Sequence, residues 1–196
     1  MRIIAGTLRS RVLQSPAGLA TRPTSDRLRE TLFNVLAPRI DHAVFLDLYA
    51  GSGAVGMEAV SRGASHVTFV ERAPAALQRM RANLARLGLT EGFRIHTGSV
   101  KSFLSRPQAG AAVFDVVFLD PPYDAAEEYA IALELLGGAG GGLLAAGAVV
   151  IAEHRRKQRL QERYGGLERT RLLEQGDAGL SFYTGQTQEE RPNLHS

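Results

Sequence analysis

Phe114-Asp115-Val116-Val117-Phe118-Leu119-Asp120-Pro121-Pro122-Tyr123 decides how the rest of the chain is read. Five apolar residues surround a single acid, the pattern of a strand buried in a parallel sheet. The two prolines have no N–H for a ladder, so the strand must stop at Asp120. Its last carboxylate then stands at the carboxyl edge of the sheet, where open α/β sheets bind ligands. Proline fixes φ, so Asp120, the carbonyls that follow and Tyr123 form a stiff turn. A stiff set of acceptors beside an aromatic ring suits a flat substrate that carries an amino group.

Upstream, Asp47-Leu48-Tyr49-Ala50-Gly51-Ser52-Gly53-Ala54-Val55-Gly56 follows an apolar strand and opens a helical pattern. Gly51, Gly53 and Gly56 match the G-x-G-x-x-G dinucleotide fingerprint. Glu71 ends the next strand and can accept hydrogen bonds from two ribose hydroxyls. By themselves these residues also fit an NAD-dependent oxidoreductase. Asp47 tilts the reading, because an anion there would repel a pyrophosphate. It favours a cationic ligand part, such as the sulfonium and amino group of S-adenosylmethionine. Nothing on the fourth strand suits hydride transfer, whereas Asp-Pro-Pro-Tyr suits methylation of an amine.

The remainder reads as strands alternating with helices. Strands are predicted at 44–48, 66–70, 93–97, 113–119 and 148–153, and helices at 53–62, 74–87, 100–105 and 126–136. A parallel, doubly wound sheet follows. Residues 167–174 and 180–184 flank Gly176-Asp177-Ala178-Gly179 and predict an antiparallel hairpin. That combination is the Rossmann-like, seven-stranded α/β fold of class I methyltransferases. Residues 2–13 predict a small hairpin. A helix capped by Thr24 or Ser25 should then run to Pro38 with Leu28, Leu32, Val35 and Leu36 on one face. Residues 155–163 are helical by propensity. The run Gly137 to Gly142 predicts a mobile loop.

Composition sets the outer limits. The 196 residues are 44% hydrophobic and 22% charged, ordinary for one soluble domain. The net charge of +3 is unevenly placed, with seven arginines against three acids before Ala43. A basic arm of this kind is compatible with a polyanionic partner. There is no cysteine, which excludes disulfides, thiolate nucleophiles and cysteine-based zinc sites. The five histidines are scattered and no metal is called for. No segment reads as a signal peptide or membrane span, so a cytoplasmic protein is expected.

Asp120-Pro121-Pro122-Tyr123 resembles the [D/N/S]-P-P-[Y/F] motif of amino-methyltransferases. More specifically, the chain resembles the RsmD-type family of bacterial 16S rRNA guanine-N2 methyltransferases. The residues that carry this likeness are Arg2-Ile3-Ile4-Ala5-Gly6, Thr21-Arg22-Pro23-Thr24-Ser25-Asp26-Arg27 with Arg29-Glu30, Ala50-Gly51-Ser52-Gly53 and Glu58-Ala59-Val60-Ser61-Arg62-Gly63-Ala64. Gln175-Gly176-Asp177 and Ser181-Phe182-Tyr183 fit as well. The resemblance implies S-adenosyl-L-methionine as donor, held around Asp47, Gly51, Ser52, Gly53 and Glu71. Ser99 stands where this fold places a residue that contacts adenine, although the frequent residue there is acidic. The resemblance sets the target base against Asp120, Pro121, Pro122 and Tyr123, and gives the RNA to Arg22, Arg27 and Arg29. The implied partner is 16S rRNA, within an assembling 30S subunit, met by a monomer.

Three segments are therefore expected: a basic extension over 1–42, a methyltransferase domain over 43–185, and a polar tail over 186–196. DNA adenine-N6 methylation is the runner-up, weakened by the missing target-recognition domain. An NAD enzyme and a binding module without catalysis rank lower.

Overall fold

Short apolar runs alternating with amphipathic stretches give the expected layers. In a computed structural model, residues 1–14, 23–106, 113–122, 125–138 and 142–185 are described. The parallel strands are β1 (Val44–Leu48), β2 (His66–Glu71), β3 (Phe93–Thr97), β4 (Phe114–Leu119) and β5 (Leu144–Arg155). Helices α1 (Pro23–Leu36), α2 (Ala54–Ser61), α3 (Pro74–Leu87), α4 (Val100–Leu104) and α5 (Ala126–Gly137) cover the two faces. Strands β7 (Leu167–Gln175) and β8 (Ala178–Gly185) form the expected antiparallel hairpin, and β8 pairs with β5. With β6 (Arg163–Tyr164) at one edge, the strand order is β3-β2-β1-β4-β5-β8-β7-β6, so the order reverses between β1 and β4. Ligands of such sheets bind outside the carboxyl ends at that point. No helix among the described residues is long and apolar enough to cross a membrane.

Several expectations need correcting. The sheet has an eighth strand, the two-residue β6 (Arg163–Tyr164), at the end of the segment expected to be helical, and that segment forms no helix. There the backbone is claimed by tertiary partners: Arg156 N donates to Asp177 O and Arg169 N to Glu162 O, each at 2.8 Å. Propensity is a weak force without an apolar stripe to bury, and the hairpin overrides it. Helix α1 begins at Pro23, ahead of both expected caps; proline suits a first helical turn. Gly137 is the last residue of α5 rather than part of a loop. A Cβ on it would collide with the Tyr164 carbonyl oxygen, and its own carbonyl accepts from Gly166 N at 2.7 Å. Residues 139–141 and the expected tail at 186–196 lie outside the described residues.

Alternation along the strands divides the core. Phe45, Phe69, Phe118 and Ile151 face α1, α2 and α3, together with Leu32, Phe33 and Met57. Leu46, Leu48, Val117, Leu119 and Ala152 face α4 and α5, together with Phe103 and Leu133. The first residues close on themselves as a narrow hairpin with one bridge pair, Arg2 and Val12. They are tied to α2 by one carboxylate. Glu58 is fully buried, and its two oxygens accept from Ile4 N at 2.8 Å and Ala5 N at 3.0 Å. It also pairs with Arg62 at 2.7 Å and lies 3.8 Å from Arg29. Ser61 extends the seam, accepting from Leu8 N at 2.9 Å and donating to Ala5 O at 2.6 Å.

Removing Glu58 takes a charge partner from Arg62 and Arg29 and the acceptor from two part-buried amides at once. Glu58→Ala is expected to cost about 3–5 kcal/mol in denaturant unfolding, the scale for breaking a buried pair from one side. An unchanged denaturation midpoint would rule out this anchor.

Candidate active site

The carboxyl edge of the sheet carries an acid on each of four adjoining strands. Register places them: Leu48 pairs with Val70 and with Leu119, and Leu119 pairs with Ala152. One residue further, Glu71, Tyr49, Asp120 and Glu153 therefore stand at one level across β2, β1, β4 and β5. Asp47 lies two residues below Tyr49. By alternation with Phe69, Phe45, Phe118 and Ile151, the four acids belong to the face covered by α1–α3.

Two of these acids already have partners. Glu71 accepts from Gly51 N at 2.8 Å through one oxygen, and from Arg72 N at 2.8 Å and Ala73 N at 2.7 Å through the other. It thereby fastens the glycine loop to the end of β2, and the oxygen that Gly51 uses keeps lone-pair capacity for a ligand hydroxyl. Asp47 is buried and accepts from Gly56 N at 2.9 Å, in the first turn of α2. Burial pushes its carboxyl up to about 8; the Gly56 N–H works the other way, and Asp120 and Glu71 add like charge. Asp120 is half-buried and has no hydrogen-bond partner among the described residues. Desolvation pushes it up to about 7. Glu153, also half-buried, is raised well above the carboxylate range by desolvation and then by Asp120, while Arg29 acts in the opposite sense.

The glycine loop between β1 and α2 uses left-handed backbone at every second residue: Tyr49 (φ 59°), Gly51 (φ 56°) and Gly53 (φ 79°). A Cβ on Gly53 would press on Met57 at 2.8 Å and Met80 at 3.0 Å, so this glycine serves packing. A Cβ on Gly51 would find only the Tyr49 carbonyl oxygen, at 3.9 Å, so open space lies in front of it. That opening, ringed by Asp47 and Glu71, fits a ligand with a cationic centre and a ribose.

Two residues missed in the sequence hold this loop. Tyr49 carries left-handed backbone, which is unusual for a bulky residue. Its ring joins the Leu46 and Leu48 side of the sheet instead of the Asp47 side, and its hydroxyl donates to Glu128 of α5 at 2.8 Å. Burial, then the Glu128 contact, pushes the phenol far up, so it stays a donor. Asn83 of α3, fully buried, donates to Ser52 O at 3.1 Å and accepts from Gln14 N at 2.7 Å. Neither role could be read from composition or spacing, because each depends on a partner far along the chain.

The remaining candidates divide. Asp47, Gly51, Ser52, Gly53, Glu71, Asp120, Pro121 and Pro122 gather at the edge of β1, β2 and β4. Ser99 caps α4, accepting from Ser102 N at 3.1 Å. Arg27 is exposed on α1. Arg29 is only 5% exposed and does not face solvent, which corrects its place among RNA-contacting residues. It donates to Arg2 O at 2.6 Å and to Asp26 at 3.1 Å, and its buried Nε has no hydrogen-bond partner. A chain of charges, Asp26, Glu58 and Glu153, explains why it is drawn inside. Tyr123 and Arg22 lie outside the described residues. Among the described residues no cluster of three metal-ligating side chains occurs.

The raised carboxyls have a consequence for stability. With a native pKa of about 7 against an ordinary value of about 4, the folded state holds a proton on Asp120 that the unfolded state releases. Stability is therefore kept at low pH and declines as pH rises through that window. Asp120→Asn removes its share of the decline, while Asp47 and Glu153, also raised by burial, keep theirs. At pH 8 the variant is expected to melt about 3–6 °C above wild type, and at pH 4 no higher, in thermal unfolding followed by circular dichroism. A melting difference independent of pH would contradict the shift.

The comparisons with known proteins agree with this geometry. Residues 1–184 match the family model described as conserved hypothetical protein 95. The Bacillus subtilis protein YlbH is 37% identical over 183 residues, covering 93% of this chain and 98% of that one. Ribosomal RNA small subunit methyltransferase D of Escherichia coli is 46% identical over 123 residues, 63% of this chain and 60% of the relative. The solved Escherichia coli protein yhhF superposes with a TM-score of 0.82 at 33% identity, covering 95% of this chain and 98% of that one. The fold is that of class I S-adenosylmethionine-dependent methyltransferases, and the chain belongs to the family described as conserved hypothetical protein 95, the RsmD family.

Proposed function

We propose that the chain transfers a methyl group from S-adenosylmethionine to the exocyclic N2 amine of a guanine in 16S rRNA. The observation that carries this reading is Asp120: an uncommitted, partly desolvated carboxylate fixed by two prolines at the β1/β4 reversal, beside the loop of Asp47, Gly51 and Glu71. The name of the Escherichia coli relative, a small-subunit rRNA methyltransferase, supports rRNA as the substrate class. A dinucleotide is disfavoured because Asp47 fills the place where a pyrophosphate would meet the helix N-terminus.

When bound, S-adenosylmethionine supplies a methyl group on a cationic sulfur. Glu71 would accept from a ribose hydroxyl, and a bound cation would favour the ionised forms of Asp47 and Asp120. The lone pair of a guanine amine is delocalised into the ring and is a poor nucleophile. Asp120 and the Pro121 carbonyl would accept its two hydrogens, drawing that lone pair toward the methyl group and offsetting the charge that grows on nitrogen. Asp120 then accepts the proton that N2 gives up as the N–C bond forms, while the electron pair of the broken S–C bond stays on sulfur. A carboxyl poised near neutrality suits that role. Tyr123 is the candidate to stack on an extruded base.

For the RNA, Arg27 and Arg22 are the phosphate-contacting candidates, and Arg29 serves as an internal brace. The substrate proposed is the assembling 30S subunit, bound by a monomer in the cytoplasm. Arg27→Ala should weaken RNA binding and flatten its salt dependence by about one phosphate contact, with donor affinity unchanged. Equal loss of donor affinity would place Arg27 in the site instead.

Asp120 decides the mechanism. Asp120→Asn keeps one acceptor oxygen and loses the charge, so single-turnover methyl transfer to 30S particles should fall roughly 10²–10³-fold at saturating donor. Donor affinity by calorimetry should change little. Asp120→Ala should be at least as slow, and a rate within about threefold of wild type would overturn the mechanism.

A further inference from the structure

We infer that Glu153 is a second base-reading carboxylate, which accepts the N1–H of the target guanine while Asp120 accepts from its N2 amine. The inference rests on the guanine-N2 reading above and deepens it.

Four acids stand on the carboxyl edge, and they differ in what they already hold. Glu71 accepts three backbone N–H groups and Asp47 accepts one. Asp120 and Glu153 have no side-chain hydrogen bond among the described residues, and they are neighbours. The Leu119–Ala152 pair puts them at one level on adjoining strands, and alternation with Phe118 and Ile151 puts them on one face. Their backbones are about 4.8 Å apart by strand spacing. Each is half-buried, so both are partly desolvated yet open to a ligand.

The backbone beneath Glu153 is fixed. Its carbonyl accepts from the fully buried Tyr129 hydroxyl at 2.9 Å, and its strand is locked between β4 and β8, where it pairs with Leu180. On the α1 side, Arg29 is buried and leaves Nε unpartnered, and its charge acts on Glu153. The charged groups facing Glu153 are thus Asp120 and Arg29.

Two uncommitted acceptors side by side fit a substrate edge with two adjacent donors. Guanine has such an edge, N1–H beside the N2 amine. Adenine and 2-aminopurine instead present a bare N1, an acceptor, which would face Glu153 lone pair to lone pair. A hydrogen bond from N1–H also draws electron density through the N1–C2–N2 unit toward N2. Glu153 would thereby serve both selection and rate.

The test follows from that edge. Wild-type protein is first given 30S particles and the modified position is mapped by nucleoside analysis. If no N2-methylguanosine forms, the guanine-N2 reading itself fails. With it formed, reconstituted 30S particles carrying 2-aminopurine at the mapped position are compared with guanine, since 2-aminopurine keeps the amine and loses N1–H. Wild type should prefer guanine by at least about 100-fold in kcat/KM. Glu153→Gln, whose amide can also donate to a bare N1, should reduce that preference at least about tenfold. Glu153→Ala should reduce it too. A residue that merely braces the site would slow both substrates equally. A guanine preference unchanged in the isosteric Glu153→Gln variant, with donor affinity intact, would overturn the inference and leave the guanine-N2 reading standing.

Discussion

Four carboxylates of like charge on four neighbouring strands are the constraint around which this molecule is built. Alternation sends Glu71, Asp47, Asp120 and Glu153 to one face, where Asp47 is buried and the other three are half-buried. Each then needs a local answer to desolvation. Glu71 is answered by three amides and Asp47 by the first turn of α2. Asp120 and Glu153 are left raised and uncommitted, a costly state for a fold and a useful one for chemistry. Sites that bind a cation and take up a proton pay in stability at high pH.

The counter-charge comes from outside the sheet. Arg29 lies on α1, within the segment first read as a basic extension. It lies 3.8 Å from Glu58 and its charge acts on Glu153, and the same Glu58 holds the backbone of Ile4 and Ala5. The first residues are therefore part of the core rather than an appended arm, with Ile3, Leu13 and Leu28 buried beside Phe33 and Phe45. Helix α1 carries Arg27, the proposed phosphate contact, on its exposed side and Arg29 on its buried side, so packing alone would couple the two. No mobile hinge is needed for such coupling.

The glycine loop shows a second coupling. Tyr49 takes a backbone conformation that favours glycine, and its hydroxyl is held by Glu128. Helix α5 begins soon after the Asp-Pro-Pro turn, so the glycine loop and that turn are tied to one helix. Strain of this kind persists only where the surroundings over-determine it.

Most of the architecture was legible from the order of the residues. Periods of two and of 3.6 are local and survive any tertiary detail, so the parallel sheet, its hairpin and the carboxyl-edge position of Asp120, Gly51 and Glu71 could be read directly. The proline pair fixed where β4 ends because a missing N–H is a property of the residue itself. The segment at 155–163 was misread because its propensity is weak and its hydrogen bonds go to residues such as Asp177. Arg29 looked like a surface arginine because charge alone says nothing of burial; Asp26 on its own helix and two acids far along the chain, Glu58 and Glu153, offset its burial. Which acids stay free was likewise decided only by register, since two carboxylates become neighbours when strands 33 residues apart align, Asp120 beside Glu153. Local pattern determines what each stretch can become, while desolvation and charge pairing, which act across space, determine what each side chain is left to do.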